Sequence, residues 1–407
     1  MPTIAILGTF DTKGVEHAFV AEYLRTQGHQ VILINVGSLA EPAIQPDVTT
    51  LEVAAAGGEG WQQVLERQDR GECVAFMGKA AANYLAPLVA AGKLHGVVSL
   101  GGGGGTAIAT AAMRALPIGF PKVMVSTLAG GNVAPYVGTT DIVMIPAIVD
   151  VSGVNRISEV IFSNAAAAVG GMATAYAERK PQAAASKPLI AASMFGNTTA
   201  CVEAARKILE GEGYEVLVFH ATGTGGRMME TLISSGMIDA VLDITTTEWA
   251  DELVGGILSA GPARLDAAAD QGIPTIIVPG CLDMVNFGEP QTIASRFEGR
   301  TFYHHNPQNT LMRTTPAESA QLGKIIAEKA NRYRQGVSVL VPKIAISVIS
   351  APGQAFYDPA ADVALFEAIK KNLTSSVELL EYDLEINDPT FARACADALL
   401  KRIAIAG

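Results

Sequence analysis

Short apolar runs alternate with longer amphipathic or alanine-rich stretches along the whole chain. Near the start, Ile4-Ala5-Ile6-Leu7 is a continuous apolar run, the pattern of a strand covered on both faces. The turn Thr9-Phe10-Asp11-Thr12 follows, then a helix through Leu24, a glycine stop at Gly28 and a second strand, Val31–Val36. The same succession returns 185 residues later as Leu189-Ile190-Ala191-Ala192, Met194-Phe195-Gly196-Asn197, a helix through Leu209, Gly213 and the strand Val216–His220. Phe10 matches Phe195, Leu24 matches Leu209 and Gly28 matches Gly213. Each copy reads as a βαβ opening, with glycine as the helix stop. The parallel continues more loosely. Gly96-Val97-Val98 resembles Asp239-Ala240-Val241-Leu242, and Pro121–Val125 resembles Pro274–Val278. Strands alternating with helices predict an α/β protein of two doubly wound Rossmann-like domains with mainly parallel sheets. The domains span 1–180 and 186–407, joined by the Lys/Pro/Ala/Ser stretch Glu178–Pro188.

The sharpest chemical signal is Ser99-Leu100-Gly101-Gly102-Gly103-Gly104-Gly105-Thr106, placed between an apolar run and the alanine-rich helical stretch Thr106–Leu116. Bare backbone lets a ligand approach closely, and glycine tolerates positive φ. N–H groups at a helix start have no helical partner and favour an anion. A tight strand-to-helix turn would need one or two glycines; five point to a phosphate or carboxylate. The Walker ending Gly-Lys-Ser/Thr is missing, and a glycine homopolymer satisfies almost any glycine pattern. The run therefore reads as a nucleotide or phosphosugar site without a lysine clamp, and not as evidence for NAD.

Composition narrows the function further. Of 407 residues, 49% are hydrophobic and 17% charged, which suits large cores with both sheet faces covered. The net charge of −11, with no basic run, argues against nucleic acid as a primary ligand. Cys73, Cys201, Cys281 and Cys395 lie far apart without metal-ligand spacing, as in a reduced, cytoplasmic chain. No charged leader precedes the first strand, and no apolar run approaches the roughly 20 residues of a membrane span.

Several long motifs resemble a widespread bacterial and plant family that includes the N-terminal inhibitory domain of the tomato mosaic virus resistance protein. They are Gly8–Gly14, the glycine run to Thr106, His220-Ala221-Thr222-Gly223, Thr245–Glu248, Pro279–Phe287, His305-Asn306-Pro307, Leu311–Thr315 and Ala351–Pro359. The resemblance covers essentially the whole chain. It implies an ATP-binding protein with two Rossmann-like subdomains, able to form a homodimer; the plant protein blocks viral replication by binding a replication protein.

Candidate residues gather at the ends of the expected strands. Thr9, Asp11, Thr12 and Lys13 follow the first strand: Asp11 is suited to hold Mg²⁺ through water, Lys13 to neutralise phosphate, and Thr12 to bind a phosphate oxygen. The bland alternative is a helix N-cap. Ser126 and Thr127, with Gly130 and Gly131, suit a pocket wall or a plain loop. Asn35 and Gly37 end the second strand, where a ribose or base lies in this architecture. In the second half, Thr222–Arg227 is another glycine-rich turn that either binds an anion or is simply flexible. Thr245–Glu248 is either a site or ordinary helix-start chemistry. His220 is a general-base candidate or a structural histidine. Arg313 is a carboxylate or phosphate fork or a structural salt bridge. Cys281 reads as a buried small residue rather than a nucleophile. The set expected to carry chemistry is Lys13, His220, Glu248 and Arg313. The nucleotide contacts expected are Thr9, Asp11, Thr12, Gly37, Gly101–Gly105, Thr106, Ser126 and Thr127, with metal ligands left open.

Together these readings favour an Mg-ATP-dependent enzyme acting on a small anionic metabolite. Two alternatives stand beside it: a nucleotide-dependent protein-binding module, and a lyase or hydrolase of a phosphorylated sugar acid.

Overall fold

The computed structural model describes residues 1–38, 40–58, 60–179 and 187–406; the core of the expected link, 180–186, lies outside the described residues. The chain divides into two compact units, Met1–Ala183 and Ala184–Gly407.

In the N-terminal unit, β1 (Thr3–Gly8), β2 (Gln30–Asn35), β3 (Gly96–Gly101), β4 (Lys122–Ser126) and β5 (Val143–Pro146) form one parallel sheet in the order β2-β1-β3-β4-β5. Every residue of β3 and β4 is buried, while the edge strands β2 and β5 carry exposed positions. Successive side chains on a strand face opposite ways, and the core splits accordingly. Ala5 and Leu7 pack with Met77, Ala80 and Leu85 on one face; Ile4 and Ile6 pack with Phe162, Ala165 and Val169 on the other. Those helices, Arg70–Ala90 and Arg156–Ala177, are long and apolar enough to cross a membrane by length and composition alone. Their buried apolar residues pack against the two faces of the sheet.

The C-terminal unit contains β6 (Leu189–Met194), β7 (Glu215–His220), β8 (Ala240–Thr245), β9 (Thr275–Gly280), β10 (Met284–Phe287), β11 (Phe302–Asn306), β12 (Asn309–Arg313), β13 (Val337–Pro342) and β14 (Glu378–Tyr382). Six of them make a parallel sheet, β14-β13-β9-β8-β6-β7. The order β7-β6-β8-β9 repeats β2-β1-β3-β4, so the two sequence copies are also copies in topology. Both copies end their first helix alike. Gly28 has φ +84° and Gly213 φ +95°. His29 N–H bonds the Leu24 carbonyl at 3.0 Å, and Tyr214 N–H the Leu209 carbonyl at 3.2 Å. This closing turn needs a left-handed residue, and the bonded leucines are fully buried. Beyond the expected parallel sheets, β10, β12 and β11 form a separate antiparallel sheet, inserted in sequence between β9 and β13.

Candidate functional site

In the N-terminal sheet, β1 and β3 are neighbours whose outgoing connections run to opposite sides. Ligands of open α/β sheets bind at such a switch point, beyond the carboxyl ends of the strands. Here β1 delivers Thr9–Lys13 and β3 delivers the glycine run, and a cavity of about 350 Å³ lies between them. Thr9, Asp11, Thr12, Lys13 and Gly101–Gly105 all line it. So do Arg70 and Asp150, which sequence reasoning missed.

The glycines are not there for positive φ. None of Gly101–Gly105 has a positive φ, so backbone strain does not require them. Gly102 is the extended N-cap of the helix Gly103–Arg114, with no side-chain cap. The first helical bond runs from Thr106 N–H to the Gly102 carbonyl at 2.9 Å. The N–H groups of Gly103–Gly105 precede it and have no helical acceptor. A Cβ on Gly101 would press on Gly105 Cα at 3.2 Å, whereas one on Gly103 would meet only Leu128 Cδ1 at 4.0 Å. Gly101 is thus required by packing; Gly103 leaves open space over a polar backbone.

Two cationic side chains border the cavity. Lys13 is half-buried and Arg70 exposed, and neither side chain forms an ion pair among the described residues. Lys13 departs from helical φ/ψ inside the helix Phe10–Thr26, at the turn that borders the cavity. Thr9 makes no capping bond; its hydroxyl lies 3.0 Å from that of Thr12. Simple capping therefore does not account for these residues. Asp11 packs where a Cβ on Gly37 would stand; Gly37 lies outside this cavity and lines a second one that shares Ser38 with it.

Thr106 and Ser126 turn away from the cavity. Both are fully buried, with hydroxyls 2.7 Å apart, because they sit on inward-facing positions of a core helix and a core strand. Thr127 is exposed, near the position of a Cβ on Gly102. Asn35 is buried, and its carboxamide oxygen accepts the N–H groups of Phe10 and Gly37, each at 3.0 Å. It ties the first two strand ends together, and Asn35 also lines a second cavity past the end of β2.

His17 supports the site from below. Its Nδ1 lies 2.6 Å from the Lys13 carbonyl, and its Nε2 accepts the Leu100 N–H at 3.3 Å. Neutral imidazole protonated at Nδ1 satisfies both bonds. The ring fills the space a Cβ on Gly8 would need. Burial lowers its pKa from 6.5 to about 4. Protonation is therefore costlier in the folded chain. Stability from this group is complete above pH 6.5, falls as the pH drops toward 4, and the loss amounts to about 3 kcal/mol. Urea unfolding between pH 7 and 4 is expected to show this decline, and His17→Gln is expected to flatten it relative to the wild type.

The C-terminal unit separates residues that the sequence suggested as a cluster. Glu248 is buried; its Oε1 accepts the N–H groups of Gly223 at 2.6 Å and Gly226 at 3.1 Å. The second glycine-rich turn thus does hold an anion, and the anion is the chain's own carboxylate. Arg227 donates instead to the Ser259 carbonyl at 2.8 Å and to Thr224 Oγ1 at 3.2 Å. Glu248 also pairs with Arg264 at 2.7 Å, and that guanidinium makes two bonds to Asp243 and one to Glu230. Arg313 is buried and bonds Asp362 at 2.6 Å and the Phe356 carbonyl at 2.8 Å. Burial raises the Asp362 carboxyl to about 6 against the pull of Arg313. Cys281 is fully buried, and burial with nearby Asp283 pushes its thiol far up, the opposite of an activated nucleophile. His220 stands elsewhere, in a cavity of about 340 Å³ shared with His305, to which neither Glu248 nor Arg313 contributes. Among the described residues, no group of three or more His, Cys, Asp or Glu could hold a metal ion.

Residues 2–178 match the N-terminal domain, and residues 187–403 the C-terminal domain, of the uncharacterised protein family UPF0261. A UPF0261 protein of Clostridium tetani is 48% identical over 98% of both chains. The ToMV resistance protein Tm-1 of Solanum lycopersicum is 39% identical over 98% of this chain and 56% of its own length. Among solved structures, the UDP-GlcNAc 2-epimerase of Neisseria meningitidis aligns with 68% of this chain and 82% of its own, at 11% identity and a TM-score of 0.25; nothing about activity follows from that alignment.

Proposed function

The chain belongs to the UPF0261 family, and we propose that its N-terminal unit is a nucleotide-binding unit that takes ATP with Mg²⁺. The observation that carries this reading is the switch-point cavity, where an uncapped helix start meets two cations that form no ion pair among the described residues. The N–H groups of Gly103–Gly105 suit phosphate oxygens. Lys13 and Arg70 offset the charge of a polyphosphate. Asp11 and Asp150 border the same cavity and suit Mg²⁺ carried in on phosphate, which needs only one or two protein carboxylates.

A second cavity of about 550 Å³ adjoins the first through their shared residue Ser38 and extends past the end of β2, along Thr49, Thr50, Leu51 and Trp61. The pair favours a ligand with a charged end and a larger polar end, as in the ribose and base of a nucleotide; a free phosphosugar would use the first cavity alone. The mutual pairing of Glu248, Arg264 and Arg313 with neighbouring groups weakens the case for an anionic co-substrate held by those side chains.

Calorimetric titration with Mg-ATP, with ADP and NAD as comparisons, tests the reading. Micromolar ATP binding, about −8 kcal/mol, with weaker ADP and no NAD heat, is expected. No ATP heat, together with binding of sugar phosphates, would replace it with the phosphosugar reading.

A further inference from the structure

We propose that the cavity shared by His220 and His305 in the C-terminal unit binds a neutral polyhydroxylated ligand, a sugar or polyol. This inference concerns a cavity lined wholly by residues between Phe195 and Leu311, and it does not rest on the nucleotide reading.

The position is that of a ligand site. Phe195, Gly196 and Asn197 follow β6, and His220 ends β7; both belong to the carboxyl ends of a parallel sheet, where α/β proteins receive ligands. The antiparallel strands supply the other walls through Asn286, His305 and Asn309.

The lining chemistry is selective. Asn197, Asn286, Asn306 and Asn309 bring four carboxamides, beside the two imidazoles. Among the described residues, no Lys, Arg, Asp or Glu lines the cavity. An anion would find no cation there, and a cation no carboxylate. A carboxamide offers both donors and an acceptor, and a neutral imidazole one of each. Hydroxyl groups, which donate and accept at once, match that array. Phe195, Leu258 and Leu311 give apolar surface for the C–H faces that a sugar ring presents. A nucleobase fits less well, because the aromatic ring at hand, Phe195, is already stacked on His220 at 5.3 Å and 23°.

The polar groups are held in place, as a binding site requires. Asn286 is 3% exposed. Its Nδ2 donates to Asp251 Oδ2 at 2.7 Å, and its backbone N–H to Asp251 Oδ1 at 3.0 Å. The same carboxylate accepts the Leu258 N–H at 3.2 Å, so one buried acid fixes both a polar and an apolar wall residue. His220 is held by its stack on Phe195.

The chain has six histidines, so proton NMR of the imidazole Cε1–H signals of the full chain reads this cavity directly. His220→Gln and His305→Gln assign the two signals. The titrants are D-ribose, D-xylose, D-glucose and D-mannitol, with gluconate and a hexose phosphate as the anionic arm and uridine as the base arm. At least one neutral sugar or polyol is expected to shift both signals saturably at millimolar concentration, leaving His17, His29 and His95 unmoved. Asn309→Ala is expected to weaken that binding about tenfold, the effect of losing one hydrogen-bonding pair, with unfolding unchanged. The proposal is overturned if only the anions or uridine shift the two signals, or if no neutral titrant does. Mg-ATP is titrated separately, so a failure here leaves the nucleotide reading untouched, and the reverse.

Discussion

Replacing Arg264 by methionine is expected to destabilise the C-terminal unit by about 3–5 kcal/mol, enough to unfold a marginal domain. The guanidinium is 1% exposed. It bonds Asp243 at 2.5 and 2.7 Å, Glu248 at 2.7 Å and Glu230 at 3.1 Å. Ser193 holds the same Asp243 carboxylate at 2.6 Å. Methionine removes the cation that touches all three acids, leaving mostly buried negative charge uncompensated. The acids then bind protons in the folded chain at a pH where the unfolded chain would release them. Burial already raises the Glu230 carboxyl in the intact network. Stability of the variant should therefore fall as the pH rises beyond the ordinary carboxylate range, and fall more steeply than in the wild type. Arg264→Lys keeps the charge but loses the planar fork, and should lie between the two. Urea unfolding at pH 5 and 8, followed by Trp249 fluorescence with Trp61 replaced by phenylalanine, reports on the C-terminal unit. Equal midpoints for wild type and Arg264→Met would refute the account.

Part of this arrangement was open to sequence reading and part was not. The strand runs, the Leu24–Gly28 and Leu209–Gly213 helix stops and the switch-point turns are local signals, and local signals survive into the fold. Asp243 was readable as well: an acid inside the apolar run of β8 demands a buried partner. Its partner was not readable, because Arg264 stands in an unremarkable Gly-Pro-Ala-Arg turn 21 positions away. Arg70 escaped for the same reason, since only the tertiary fold brings its helix start beside Gly104. Thr106 and Ser126 failed in the opposite direction. They resemble loop hydroxyls in sequence, but their positions on a core helix and a fully buried strand turn them inward to each other. The strand β11 carries only a weak signal: Tyr303-His304-His305-Asn306 shows no apolar alternation, and most of it faces solvent.

Replacing Gly103 by valine is expected to abolish ATP binding while the N-terminal unit stays folded. Gly103 occupies the first turn of its helix, its φ is not positive, and a Cβ there approaches only Leu128 at 4.0 Å. Valine is no worse than glycine as a helix former, so the fold loses little. The isopropyl group, however, stands over the N–H groups proposed to receive phosphate. Losing that approach should weaken binding by at least about 100-fold, roughly 2.7 kcal/mol. Gly101→Ala supplies the contrast, because its Cβ presses on the Gly105 backbone at 3.2 Å; it should lower stability along with affinity. Arg70→Gln removes charge without adding bulk. It should weaken ATP more than ADP and reduce the salt dependence of binding, because a cation facing a polyphosphate acts mainly through screened Coulomb attraction. Calorimetry at two salt concentrations, beside urea unfolding of each variant, separates the three effects. Unchanged ATP affinity in a folded Gly103→Val protein would move the nucleotide away from the glycine run.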